Sequence, residues 1–238
     1  MREYAVIWDI GKNNDPSAIQ IYRRTPDFIG KDNVNQRMFT YSDLIWQTLW
    51  EQVPYTEQVE RVFRLAESDT LKNNHDLLLD GTGVGQAVAD LARAKGLSLL
   101  EIVFSGGLKP QPLYMGDNDK RFGTGMDMKV MRGWSVPKKD MIDAAKVMME
   151  QHRIRIAEGI PFGDKFKTQL THFQGKVNEK GHIQYGNDTE AQHDDLVAAF
   201  LIYCWWAKFN EHEAREYERP VTKANKNYDW NPLKDYNI

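Results

Sequence analysis

Four aspartates carry the clearest chemical potential: Asp9, Asp80 and the adjacent pair Asp194 and Asp195. Asp9 ends the apolar run Tyr4 to Asp9 (Y-A-V-I-W-D), and Asp80 ends Asp76 to Asp80 (D-L-L-L-D). Both runs are short and apolar, as buried strands are, and sites form at the carboxyl ends of strands in open sheets. The pair opens a stretch in which Leu196 to Ala207 holds no charge, the pattern of a helix buried on most sides. Complementing the helix dipole would by itself account for Asp194 and Asp195. Yet ionised carboxylates beside such a core are costly without partners. If the three places converge, like-charge repulsion calls for cations. All-oxygen ligands favour Mg²⁺ or Mn²⁺ over zinc. Two such ions about 3.5–4 Å apart suit hydrolysis of a phosphodiester.

Composition bounds what can hold these groups. The chain has 238 residues, 41% of them hydrophobic, enough for one large domain with a real core or two small ones. No run approaches the roughly 18 uncharged apolar residues of a membrane span. The opening M-R-E-Y-A-V-I-W-D lacks the pattern of a secretory signal. Cys204 is the single cysteine, so neither an intrachain disulfide nor a cysteine zinc cluster is expected. Together these point to an intracellular soluble protein. Net charge is −3, but Lys120 to Lys180 contains 13 Lys and Arg against 7 Asp and Glu, which leaves −9 elsewhere. A basic flank beside an acidic site suits a phosphodiester substrate.

The elements that would position the aspartates can be read in order. After the first strand, Asp15-Pro16 makes a turn and Ala18 to Tyr22 (A-I-Q-I-Y) alternates as a second strand, so Asp9 stands at the open end of a hairpin. Arg23 to Met38 is polar and reads as a loop or long hairpin tip. Leu44 to Glu51 fits a third strand or a helix. Tyr55 to Ala66 has helical spacing, with Thr56 as a cap. The Asp80 strand leads through Gly81-Thr82-Gly83-Val84-Gly85 into a helix, Gln86 to Lys95, ended by Gly96. A strand at Leu99 to Phe104 follows. Ser105 to Gly133 is long for a connection. Pro137 to His152 reads as a helix, Arg153 to Ile156 as a short strand, Phe162 to Phe173 as a helix and Lys176 to Tyr185 as a hairpin. Thr189 would cap the last helix, and the chain beyond Lys208 is polar. The order implies an α/β layout with a mixed sheet.

Four segments together resemble the C-terminal nuclease domain of the large terminase subunit of tailed bacteriophages. They are V-I-W-D-I-G-x4-D-P-S-A-I (Val6 to Ile19), L-L-L-D-G-T-G-V-G (Leu77 to Gly85), W-S-V-P-K-K-D (Trp134 to Asp140) and H-D-D-L-V-A-A (His193 to Ala199), matching in order and spacing over roughly residues 4 to 207. The resemblance implies a ribonuclease H-like fold over residues 1–210, with a central mixed five-stranded sheet flanked by helices, an extra hairpin and a polar C-terminal extension, 211–238. It implies metal-dependent cutting of concatemeric double-stranded viral DNA during genome packaging in the host cytoplasm. Portal, small terminase subunit and an ATPase motor would then be partners. Asp9 would bridge two Mg²⁺ or Mn²⁺ ions, Asp80 would hold one, and the His193-Asp194-Asp195 segment would supply the other. Asp195 is favoured over Asp194 because it lies one turn before Ala199, on the row shared with Tyr203. His193 would join as a ligand or serve as a cap. Asp15 matches an acidic position of the family, though a turn role suits it better.

DNA contact would come from the basic half: Lys138, Lys139, Arg153, Arg155, Lys165, Lys167 and Lys176, touching phosphates rather than bases. The family's large subunit usually places a motor domain before the nuclease. This sequence has no G-x4-G-K-[ST] loop, so no ATP site is expected, and the chain is either an excised domain or a separately encoded nuclease. Rival readings are an actin-like or sugar-kinase nucleotide-binding domain, a resolvase- or transposase-type nuclease of the same fold, and a packaging scaffold with an idle site.

Overall fold

The structure is a computed structural model that describes residues 2–12, 15–29, 37–114, 130–177, 183–187 and 194–211, with side chains for all of these except 27–29, 37–39, 174–177 and 183–187. Ten strands and five helices follow one another in the described chain. They are β1 (Tyr4–Asp9), β2 (Ser17–Ile29), β3 (Arg37–Trp50), α1 (Tyr55–Ala66), β4 (His75–Asp80), α2 (Gly85–Ala94), β5 (Leu100–Ser105) and β6 (Gln111–Tyr114). Then come β7 (Met131–Pro137), α3 (Lys138–Glu150), β8 (Ile154–Ile156), α4 (Gly163–His172), β9 (Phe173–Val177), β10 (Ile183–Asn187) and α5 (Asp195–Asn210).

Eight strands form one mixed sheet in the order β6-β7-β5-β4-β1-β2-β3-β8. β1 is central, parallel to β4 and antiparallel to β2. Its side chains alternate between two cores, as the period of a strand requires. Ala5 and Ile7 belong to a core built with α3, α4 and α5. Val6 and Trp8 belong to a core built with α1 and α2. The sheet is therefore covered on both faces, and each strand of the parallel centre can be continuously apolar. Helix α5 is buried along Asp195 to Ala207, which is why that stretch carries no further charge. It is locked to the sheet by Tyr203, whose ring stacks on Tyr22 at 3.6 Å and whose hydroxyl bonds Ser42 Oγ at 2.5 Å.

Several expectations are corrected. The sheet has eight strands rather than five, because β6, β7 and β8 extend it at its edges. β7 was hidden by its weak alternation (M-R-G-W-S-V-P). Of the two readings of Arg23 to Met38, loop or long hairpin tip, the described part is hairpin: pairing runs from Thr25–Tyr41 to Ile29–Arg37. The third strand read at Leu44 to Glu51 is borne out as the end of β3, and the helical alternative is not. Pro54, not Thr56, stands at the N-cap of α1. Helix α5 starts at Asp195 with Asp194 as N-cap, and Thr189, read as its cap, lies outside the described residues. Glu211, assigned to the extension, is tied into the domain by an ion pair with Arg153 and accepts the Thr40 N–H at 3.4 Å. Residues 212–238 lie outside the described residues.

Behind the α2 face, Glu101 of β5 is fully buried between Arg93 (2.5 Å) and Arg132 (2.7 Å). β7 passes so close to it that a Cβ on Gly133 would stand 1.8 Å from the Glu101 carbonyl oxygen. Gly133→Ala should therefore cost about 3 kcal/mol or more by forcing the two strands apart. Urea unfolding checks this, and an unchanged midpoint would contradict the close approach.

Candidate active site

Strand pairing brings the first two carboxylates together. Trp8 pairs with Leu79 in the parallel β1–β4 ladder, so Asp9 and Asp80 are the next step along neighbouring strands. Asp9 follows the alternation of Ala5 and Ile7, and Asp80 that of Leu78, so both turn to the α5 face. Asp80 is further set by the turn after β4: its Oδ1 accepts the Thr82 N–H at 2.8 Å, and Thr82 Oγ1 accepts the Phe104 N–H at 3.0 Å. Gly85 lets the helix begin directly above this turn, since a Cβ there would meet the Asp80 carbonyl oxygen at 1.8 Å.

The first turn of α5 supplies the remaining acids. Its N-cap makes no side-chain capping bond of its own. The Leu196 N–H donates instead to Gln169 Oε1 of α4 at 3.2 Å. The Leu196 carbonyl accepts from Gln20 Nε2 of β2 at 3.1 Å, and Gln20 in turn bonds Gln47 and Tyr22. Two buried glutamines from other elements thus fix where α5 starts. Neither stood out in the sequence; the signal available was an amide in the inward row of A-I-Q-I-Y. Asp195 is buried, whereas Asp194 is about a third exposed and lies 3.7 Å from Lys138 Nζ.

The charges of Asp80, Asp195 and Asp194 all act on Asp9. Burial pushes the Asp9 carboxyl well above the ordinary carboxylate range. The charges of Asp80 and Asp195, a hydrogen bond with Asp80 and the charge of Asp194 push the same way. Burial also raises Asp80, opposed by bonds from Thr82, the bond with Asp9 and the charge of Lys12. Among the described residues, no three His, Cys, Asp or Glu side chains form a ready-made ligand set for an ion. An entering cation would offset the crowding of these carboxylates and favour their ionised forms. The donor set fits a hard divalent cation: it is buried, all oxygen and of one charge sign.

No protein-family model and no curated protein matches the chain. Solved structures do. The large terminase nuclease from thermophilic phage G20c superposes with a TM-score of 0.51 at 16% identity, covering 84% of this chain and 80% of that one. The same nuclease with bound magnesium gives 0.53 at 17% identity over 85% and 80%. The large terminase nuclease domain of Thermus phage P74-26 gives 0.50 at 14% identity over 84% and 77%. The chain has the large-terminase nuclease fold. Within it, the three carboxylate positions of the sequence reading fall on two adjacent strand ends and the start of the buried helix.

The basic residues are more scattered on the terminase nuclease fold than their sequence clustering implied. Arg153 is buried and holds Glu211, so it is not a surface phosphate contact. Lys138 lies beside Asp194 and near the rings of Phe104 and Phe173, next to the acids. Lys139 pairs with Asp143 (2.5 Å) and Arg155 with Asp43 (2.7 Å). Lys165 and Lys167 are exposed on α4. Lys176 is in β9, and its side chain and all of His193 are outside the described set. Asp15 is exposed in the β1–β2 turn, where its N–H donates to the Lys12 carbonyl at 2.8 Å.

A raised carboxyl binds its proton more tightly in the folded than in the unfolded state. Its contribution is therefore largest at low pH and is lost as pH climbs from about 4 through the raised Asp9 value. In chelator, the melting temperature of the wild type should fall across that window. Asp9→Asn should flatten the fall and melt higher than wild type at pH 8. Melting curves against pH read this directly, and parallel curves for the two proteins would contradict a crowded acidic site.

Proposed function

We propose that this chain is a metal-dependent endonuclease that cuts concatemeric double-stranded viral DNA during genome packaging. The observation that supports it most is the meeting of Asp9, Asp80 and Asp195 on one face of a terminase nuclease fold. Two Mg²⁺ or Mn²⁺ ions, when bound, supply the Lewis acidity that activates a water and stabilises the leaving oxygen. Asp9, central among the acids, would hold the ions together with Asp80, which Thr82 steadies, and Asp195. Asp194, turned toward Lys138, orients rather than ligates. The burial of these groups keeps bulk water away and strengthens every charge interaction at the reacting phosphate.

In this reading α4 offers the DNA backbone Lys165 and Lys167, and Lys138 stands between the acids and that flank. A single nuclease domain runs through α5 and includes Glu211, with the polar tail as an extension. The enzyme would work in the host cytoplasm beside a portal, a small terminase subunit and an ATPase motor. No helix among the described residues is long and apolar enough to cross a membrane.

Wild type should nick and linearise plasmid in Mn²⁺. Asp9→Asn should lower the rate by about a thousandfold or more without loss of melting temperature. Asp195→Asn should be nearly as severe and Asp194→Asn milder. Cleavage by Asp9→Asn at the wild-type rate would refute the assignment. Replacing Lys165 and Lys167 together by Ala should weaken DNA binding at low salt and reduce the slope of log K against log salt by about 2. Fluorescence anisotropy across a salt series measures it, and an unaltered slope would place the DNA on another face.

A further inference from the structure

Lys12 lies outside the acidic set but is built into its rim. It belongs to the turn that leaves β1 just after Asp9, and its carbonyl accepts the Asp15 N–H. The preceding residue is held on three sides. The Gly11 N–H donates to Ser17 Oγ at 3.0 Å, and its carbonyl accepts from the Tyr55 hydroxyl at 3.1 Å. A Cβ on Gly11 would strike the Asp15 carbonyl oxygen at 2.1 Å. The backbone that carries Lys12 is thus closed on itself rather than an open loop.

From this turn the side chain crosses to the one that carries Asp80. A Cβ on Gly83 would lie 2.7 Å from both Cε and Nζ of Lys12, so the ammonium rests against the Gly83 backbone. Gly83 has a φ of 64°, a left-handed conformation that suits glycine, and the absent side chain leaves the space the lysine uses. The ammonium is near enough for its charge to act on Asp80. One cationic side chain therefore joins the turns after both acid-bearing strands while staying open to solvent on its outer side. A lysine is a compact charge on a flexible stem, able to trade one anionic partner for another.

We propose that Lys12 is the exchangeable cation of this site: its ammonium balances Asp80 while no divalent ion is bound, yields that place when one enters, and then contacts a non-bridging oxygen of the DNA phosphate. This makes it a substrate-positioning residue, and it rests on the nuclease reading above. The two roles have opposite consequences when the charge is removed. Metal binding loses a competitor, and phosphate loses a contact. A residue that merely shaped the turn would move both in the same direction.

The test uses the full chain, stripped with chelator, as wild type, Lys12→Met and Lys12→Arg. Calorimetric titration with Mn²⁺ and plasmid cleavage at saturating Mn²⁺ are measured for each. Lys12→Met should bind Mn²⁺ about threefold more tightly, and its kcat/KM should fall about tenfold or more. Lys12→Arg should stay nearer wild type in both. Unchanged Mn²⁺ affinity, unchanged cleavage, or both quantities falling together in Lys12→Met would each overturn the inference while leaving the nuclease reading intact. A wild type that neither binds Mn²⁺ nor cuts DNA would sink both.

Discussion

Two hydrogen-bonded parallel strands hold in-register side chains at roughly the 4.8 Å spacing of the sheet. At the ends of β1 and β4 those side chains are Asp9 and Asp80, both turned to the same face and both buried. Helix α5 adds a third carboxylate, Asp195. That enforced repulsion organises the surroundings. Thr82 steadies one acid, Lys12 approaches its turn, and Lys138 meets the outermost acid at Asp194.

The neighbouring structures sharpen the point. At 16–17% identity most side chains differ, yet the path of the chain is shared over more than four fifths of its length. In this chain that path brings two adjacent strand ends and a helix start together. The side chains that secure the meeting are local solutions. Here they are Gln20 and Gln169 on the α5 backbone and the Tyr22–Tyr203 stack beneath it.

Much of this was legible in the sequence because burial writes a clear pattern. The runs ending in Asp9 and Asp80 are short, apolar and bounded, and α1 spans the same residues in the structure as in its hydrophobic spacing. The Gly-rich turn after Asp80 and the uncharged helix were equally plain. The unread parts share a cause: their reasons lie on other elements. The start of α5 is set by amides on α4 and β2, so a local search for a capping residue settled on Thr189. The outer arms of β2 and β3 are placed by their pairing with each other. Arg153 looks like a surface cation until the chain returns with Glu211 to bury it. Lys12 sits too close to Asp9 in sequence to suggest that its reach is to Gly83.

Helix α5 is the last element of the described chain, yet it packs against the first. As the polypeptide leaves the ribosome, β1 and β4 can pair while the segment bearing Asp195 is still unmade. Until it arrives, α3 and α4 cover that face of the sheet only in part, and the acidic cluster lacks the carboxylate that α5 brings. A half-made copy thus carries two of the acids and none of the geometry that joins them to the third.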